Sequence, residues 1–104
     1  MVVQCCVLAS GSSGNCTWIE AGGEALLIDA GLSARELVRR LELAGGAPER
    51  VRGICVSHEH ADHTVGLAQM AQRHALPVFT NRGTQEALLR QAEFTELSSR
   101  IFTT

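Results

Sequence analysis

The sequence predicts an α/β (α+β) fold built around a mixed β-sheet. The first third alternates short apolar runs with glycine and serine turns, a pattern typical of a β-meander. The rest alternates strand and helix patterns, as parallel strands with helical crossovers do. Of 104 residues, 45% are hydrophobic and 19% are charged, so the chain can bury a small core and is not a disordered polar segment.

Three strands are expected before the first helix. They cover residues 2–9, 16–20 and 25–30, separated by a serine- and glycine-rich loop at 10–15 and a turn at 22–23. The first run lacks a basic leader and is too short to span a bilayer, so it indicates a strand and not a signal peptide. A cytoplasmic protein is therefore expected.

The first helix is expected to begin after Ser33. A serine followed three residues later by Glu36 is the pairing with which a capping box satisfies free backbone N–H groups at a helix start. Leu37 and Leu41 lie four residues apart and form the apolar stripe. Two glycines at 45–46 then predict the end of this helix.

Strand and helix patterns continue to the end of the chain. A short apolar strand ends at Val56, and the motif with the chemistry follows it directly. Thr84 is the expected N-cap of the last helix. The predicted elements of this part are a strand at 50–56, a helix at 64–74, a strand at 77–80, a helix at 84–91 and a further apolar run at 101–102.

Charge and cysteine content limit the classes of function. A formal net charge of -2 gives no general cationic surface, so any contact with nucleic acid must be local. The cysteines show no Cys-x-x-Cys spacing and lie in apolar runs, which favours buried free thiols in a reducing compartment over thiolate metal ligands. These cysteines are Cys5, Cys6, Cys16 and Cys55.

One short segment carries the predicted chemistry. Three of the four histidines, His58, His60 and His63, lie with Asp62 directly after an apolar strand. Residues two apart in an extended segment point the same way, so His58 and His60 can converge on one metal ion. Asp62 and His63 are then placed to serve a second ion. Imidazole nitrogens with a carboxylate oxygen suit zinc, and also manganese or iron.

This segment, His58-Glu59-His60-Ala61-Asp62-His63, resembles the metal-binding loop of the metallo-β-lactamase-fold hydrolases. The run Leu27-Ile28-Asp29-Ala30-Gly31 resembles the strand of that superfamily that ends in aspartate and glycine. Residues 8–15 and 67–81 resemble one bacterial branch, the YycJ/WalJ-like exonucleases. The central motif is specific for the superfamily and less specific for the substrate.

The resemblance implies a role for each residue of the motif. His58 and His60 would bind the first of two divalent metal ions, with zinc as the expected metal. Asp62 and His63 would bind the second ion, and Asp62 would also be catalytic by orienting the nucleophile. Asp29 would orient the ligands through hydrogen bonds. The alternative, an aspartate that only caps the turn before Gly31, remains open.

The resemblance also places a loop near the mouth of the site. Its hydroxyl and backbone N–H groups could contact a phosphate of the substrate, or the loop could be only a solvated turn. The residues concerned are Ser10, Ser12, Ser13 and Asn15.

The complete fold of this family is an αββα sandwich whose later half supplies further ligands, namely a histidine, a bridging aspartate and a final histidine. After His74 this sequence contains no histidine or aspartate. We therefore expect residues 1–104 to be the N-terminal part of such a domain, truncated and inactive alone. Self-association or completion by a missing C-terminal half is then expected.

The function implied by the resemblance is metal-dependent hydrolysis. A phosphodiesterase or exonuclease that attacks DNA with a metal-bound hydroxide is the leading hypothesis. Two alternatives stay open, a thioester or lactone hydrolase of the same fold and a non-catalytic metal-binding fragment. DNA is thus the expected partner, and no membrane association is expected.

Overall fold

A computed structural model describes residues 2–103; Met1 and Thr104, the ends of the predicted domain, lie outside the described residues. The strands are β1 (Val3–Ala9), β2 (Cys16–Ala21), β3 (Glu24–Ile28), β4 (Val51–Cys55), β5 (Val78–Thr80) and β6 (Ile101–Thr103). The α-helices are α1 (Ala34–Leu43), α2 (Ala61–Thr64), α3 (Leu67–Arg73) and α4 (Arg82–Leu89). Two 3₁₀ segments cover Pro48–Arg50 and Ala92–Arg100. The predicted α/β fold with a mixed sheet is confirmed.

The strands form one sheet in the order β1-β2-β3-β4-β5-β6. The pairs β1–β2 and β2–β3 are antiparallel, which confirms the predicted meander, and Gly22 and Gly23 adopt positive φ angles of 61° and 80° at its second turn. From β3 to β6 the neighbouring strands are parallel. Their carboxyl ends therefore meet at one edge of the sheet, where ligands bind in open α/β sheets.

One face of the sheet is covered by the helices. A row of paired residues crosses this face from β2 to β6, and each side chain in the row is at most 5% exposed. These residues are Trp18, Leu27, Ile54, Val78 and Ile101. The helices contribute Leu37, Leu41, Leu67, Met70 and Leu88 to the same core, as their apolar spacing requires.

The other face carries apolar side chains that the described residues leave uncovered. Five of them are between 40% and 61% exposed, namely Val3, Val7, Leu26, Phe79 and Phe102. The rings of Phe79 and Phe102 lie 5.9 Å apart on neighbouring strands. Gly53 provides room for this pair, because a Cβ there would lie 2.9 Å from the ring of Phe79.

The helix termini confirm some predictions and correct others. The Oγ of Ser33 accepts a hydrogen bond from the Glu36 N–H at 3.2 Å, so the predicted cap of α1 is correct. The reciprocal half of the capping box is not formed, because the Glu36 carboxylate accepts from Arg39 and Arg40 instead. Asn81, and not Thr84, caps α4, since its Oδ1 accepts from the Thr84 N–H at 2.8 Å.

Two further predictions about secondary structure are wrong. The helix expected over residues 64–74 is divided between α2 and α3, because the Gly66 N–H donates to the Ala30 carbonyl at 2.8 Å. The 3₁₀ segment Ala92–Arg100 was not expected, since only Phe94 and Leu97 point into the core there and give no helical stripe. Within residues 2–103, no helix is long and apolar enough to cross a bilayer.

The cysteines are all free, as expected, but they are not all in the core. Cys16 is buried, Cys6 and Cys55 are partly buried, and Cys5 is exposed on the uncovered face of the sheet. The prediction that Cys5 belongs to the core is therefore wrong. It faces the same side as Ile19, its antiparallel partner, and no helix covers that side.

Candidate metal centre

The candidate site forms where two parallel strands end side by side. β3 ends at Ile28 and β4 ends at Cys55, and these two residues are partners in the ladder. The Asp29 N–H then donates to the Cys55 carbonyl at 2.7 Å, which continues the pairing by one bond. Asp29 adopts a positive φ of 66°, a conformation that aspartate tolerates better than most residues. The chain turns there, and the carboxylate faces the loop that follows β4.

The Asp29 carboxylate organises that loop. Its Oδ1 accepts from the Ser57 N–H at 2.7 Å, and its Oδ2 accepts from the Ser57 hydroxyl at 2.6 Å. Oδ2 also lies 2.8 Å from Nδ1 of His63. A carboxylate oxygen accepts, so Nδ1 is the protonated nitrogen of His63 and Nε2 carries the free lone pair. A carboxylate on the far nitrogen is the usual support of a metal-binding histidine.

Two donor atoms of the motif converge. The Nε2 of His63 lies 3.6 Å from the Oδ2 of Asp62. Two ligands of a tetrahedral zinc ion at about 2.0–2.1 Å lie about 3.3 Å apart, so this separation suits one ion. The ring of His58 packs beside that of His63, with centroids 4.8 Å apart and an interplanar angle of 44°. Three of the predicted ligands are therefore neighbours.

The remaining contacts concern the imidazole of His58 and the backbone of His60. The Nδ1 of His58 lies 3.0 Å from the hydroxyl of Ser57. His60 is exposed at the N-cap of α2, and its carbonyl accepts from the Thr64 hydroxyl at 3.1 Å. In the part of the chain that the structure describes, no three of these side chains yet form a complete ligand set for one ion. The arrangement is a convergent pair with two further histidines in the same loop.

Glycines allow three loops to pack against one another below the motif. A Cβ on Gly31 would overlap the carbonyl oxygen of Asp62 and lie 2.5 Å from the Asn15 nitrogen. A Cβ on Gly14 would lie 2.6 Å from the Gly31 carbonyl oxygen. The Ala30 N–H donates to the His63 carbonyl at 2.8 Å across the same junction. The close packing of these loops against the motif therefore requires glycine at positions 14 and 31.

The serine- and glycine-rich loop lies against the motif, but its members differ. Ser10, Ser12 and Ser13 are exposed, and their hydroxyls make no hydrogen bonds within residues 2–103. Asn15 is partly buried, and its side-chain Nδ2 lies 3.1 Å from the carbonyl oxygen of Asp62 and 3.3 Å from its Oδ2. The loop therefore contacts the candidate site through Asn15.

The two thiols close to the site, the buried Cys16 and the partly buried Cys55, are poor ligand candidates. Burial, and secondarily the charge of Asp29, raises the pKa of Cys16 to about 12. The pKa of Cys55 is raised for the same two reasons. A thiol with a raised pKa stays protonated at neutral pH, whereas metals bind the thiolate. This agrees with the interpretation of these two cysteines as structural residues.

One groove of the molecule lies away from the motif. It has a volume of about 590 Å³ and runs along α1 and the end of α3. Its lining is Arg35, Val38, Arg39, Glu42, Arg73 and His74, and none of the predicted ligands takes part.

Sequence reasoning missed one residue and one contact of this arrangement. Ser57 donates to Asp29 and contacts His58, yet the sequence analysis gave it no role. Its position could have indicated this role, because Ser57 is a polar residue at the end of a strand that runs parallel to the strand before Asp29. The bond between Asn15 and Asp62 spans 47 positions and had no signal in the local pattern.

Comparisons with known proteins show what the chain is similar to. A family model described as the metallo-beta-lactamase superfamily matches residues 9–102. The chain is 42% identical over 82 residues to the exodeoxyribonuclease YycJ of Bacillus anthracis, covering 79% of this chain and 31% of that protein. It is 37% identical over 82 residues to the exodeoxyribonuclease WalJ of Streptococcus pneumoniae (strain D39), covering 79% of this chain and 30% of that protein.

A solved structure is also similar to this chain. A metallo-beta-lactamase with a HARLDQ motif from Cronobacter sakazakii superposes with a TM-score of 0.67 and 27% identity. The alignment covers 73% of this chain and 28% of that one. The chain thus spans about 30% of the length of the curated relatives that it matches.

Proposed function

The chain belongs to the metallo-beta-lactamase superfamily, and on that premise we propose that it contributes the metal-binding loop of a hydrolase that cleaves DNA phosphodiesters. The observation that carries the proposal is the convergence of Asp62 Oδ2 and His63 Nε2 at 3.6 Å, with Asp29 on the other nitrogen of His63. The choice of DNA is supported by the two relatives named exodeoxyribonucleases.

The donor set fits a divalent metal ion such as zinc. It consists of imidazole nitrogens and carboxylate oxygens, and manganese or iron would accept the same donors. Asp62 and His63 would hold one ion, and His58 and His60 would hold a second. Bound ions of this kind supply Lewis acidity that activates water and polarises the ester to be cleaved.

The protein's own residues set the geometry of the reaction. Asp29 fixes the protonated Nδ1 of His63 and so aims Nε2 toward Asp62. The Asp62 carboxylate would accept a hydrogen bond from the attacking water and so orient a lone pair of that water toward phosphorus. Ser57 bonds to Asp29 and contacts His58, so its hydroxyl links the His58 imidazole to the carboxylate that His63 contacts directly.

The substrate would be recognised locally. With a net charge of -2, the chain cannot hold DNA by general attraction, so contacts at the site must supply the affinity. The exposed hydroxyls of Ser10, Ser12 and Ser13 are free to donate to phosphate oxygens at the mouth of the site. We assign the remaining ligands to the part of the related proteins that this chain does not span, supplied in sequence or by a second chain.

The test compares DNA hydrolysis with thioester hydrolysis under the same metal conditions. The protein that carries residues 1–104 is incubated with an end-labelled DNA strand or with a thioester, with and without a chelator. We expect release of nucleotides that the chelator abolishes. His60→Ala should abolish it, since one lost imidazole removes the ion it holds, and Asp62→Asn should be nearly as damaging because the amide lacks the charge.

Ser12→Ala is the matched control in the same site region. It removes one exposed hydroxyl and no ligand, so hydrolysis should fall far less than in the two ligand variants. Robust thioester cleavage with no attack on DNA would contradict the nuclease proposal and leave the metal site intact. Full activity of His60→Ala would contradict the ligand assignment itself.

A further inference from the structure

We propose that Asn15 is a positioning residue that holds the Asp62 carboxylate in its ligand orientation. This inference rests on the proposed metal centre and changes the expected role of Asn15, which was grouped with the serines as a substrate contact. Its side-chain amide lies 3.3 Å from Asp62 Oδ2, the same oxygen that lies 3.6 Å from His63 Nε2.

All the polar atoms of the Asn15 side chain are engaged. Its Oδ1 accepts from the Gly11 N–H at 3.1 Å, and its Nδ2 donates to the Gly11 carbonyl at 2.8 Å. The second hydrogen on Nδ2 is shared between the Asp62 carbonyl at 3.1 Å and Asp62 Oδ2 at 3.3 Å. None of these groups is left for a substrate.

The same bonds fix which end of the amide faces Asp62. A flipped side chain would place Oδ1 against two carbonyl oxygens and a carboxylate, and its NH₂ against the Gly11 N–H. Only one orientation satisfies the bonds, and it presents a donor to the carboxylate. Asn15 is therefore not interchangeable with an acceptor such as aspartate.

The backbone of Asn15 is anchored on both sides. Its N–H donates to the Asp62 carbonyl at 2.8 Å, and its own carbonyl accepts from the Gly31 N–H at 2.9 Å. These bonds leave the side chain little freedom to move away from Asp62. The Asp62 side chain is 31% exposed, so without a neighbouring donor its carboxylate could rotate into solvent. Asn15 removes that freedom before an ion arrives.

The test measures metal affinity and uses a double-mutant cycle. Zinc affinity is measured by competition with a chromophoric chelator for wild type, Asn15→Ala, Asp62→Ala and the double variant. Loss of a group that supports a ligand weakens metal binding by about 10–100-fold, so Asn15→Ala should weaken it about 10-fold. In the Asp62→Ala background the same change should have almost no effect, because Asn15 acts through that carboxylate.

Ser13→Ala is the matched control, because Ser13 lies in the same loop and its hydroxyl has no bond within residues 2–103. Its zinc affinity should equal that of wild type. If Asn15→Ala lowered the zinc affinity equally in the wild-type and the Asp62→Ala backgrounds, Asn15 would have a general structural role and the inference would be overturned. An Asn15→Ala protein that binds zinc as wild type does would also overturn it.

The outcome separates this inference from the proposed function. If the wild-type protein binds no zinc, the metal centre itself fails, whereas the inference fails alone if wild type binds and Asn15→Ala is unchanged. Should Asn15→Ala lose its cooperative melt, Asn15→Ser takes its place, since its hydroxyl can still accept from the Gly11 N–H. The expected loss of affinity is the same, and wild-type affinity in Asn15→Ser would overturn the proposal.

Discussion

Gly31→Ala should destabilise the protein severely, although the change adds a single methyl group. The added Cβ would overlap the Asp62 carbonyl oxygen and lie 2.5 Å from the Asn15 nitrogen, and both are backbone atoms that cannot rotate away. Overpacking of this kind costs about 1–3 kcal/mol. The two bonds through Asn15, to Asp62 and from Gly31, would be lost at about 1 kcal/mol each. The expected loss of unfolding free energy is therefore about 3–5 kcal/mol.

The assay is urea unfolding followed by circular dichroism, with Gly83→Ala as the matched control. Gly83 lies in α4, and a Cβ there meets only Asn81 Oδ1 at an ordinary 3.5 Å. Replacing glycine by alanine where the backbone conformation suits alanine gains about 0.4–1 kcal/mol, so the control should become more stable. We predict that the two substitutions change the free energy of unfolding in opposite directions. Equal stability of Gly31→Ala and wild type would refute the close packing of the three loops.

Three further outcomes are expected. Calorimetry on the 104-residue chain should show weak zinc binding, because two protein ligands per ion leave half of a tetrahedral shell to water. Sub-nanomolar affinity in the monomer would reveal ligands that we have not identified. Sedimentation should show a dimer or larger species, since the apolar face of the sheet is uncovered. Phe102→Gln should reduce the fraction of this species. A monomeric wild type would argue against this face as a contact surface. Hydrogen bonds from Arg39 and then Arg40 lower the pKa of Glu36 from 4.5 to about 2, so stability from this cluster is present above pH 4.5 and is lost as pH falls toward about 2. Acid titration of wild type should therefore show a decline in this window that Glu36→Gln lacks, and an identical decline in both would remove Glu36 as its source.

The strands were predictable because their signals are local. Apolar runs located five of the strands within a few residues, the further run at 101–102 falls on β6, and the Ser33 cap fixed the start of α1. The metal motif was visible for the same reason, since its four predicted ligands lie within six consecutive residues. The sequence also placed Asp29 near the end of one strand, predicted over residues 25–30, and the motif directly after another; the structure ends the first of these strands at Ile28, just before Asp29.

The rest depended on contacts that local spacing does not encode. The division between α2 and α3 results from the bond of Gly66 to Ala30, which lies on another loop. The exposure of Cys5 depends on which face the helices cover, and an apolar run alone does not reveal that. The predicted convergence of His58 with His60 follows from ideal alternation and stays a prediction.

The order of the strands has a consequence for how the fold assembles. Each strand pairs with its neighbour in sequence, so no strand must wait for one synthesised much later. Loop closure costs less entropy when the segments joined are close along the chain, and local topologies fold faster. The sheet can therefore grow in one direction as the polypeptide leaves the ribosome. Asp29 and Ser57 would meet as soon as β4 has paired, so this contact of the metal loop needs no strand that lies beyond β4 in the sequence.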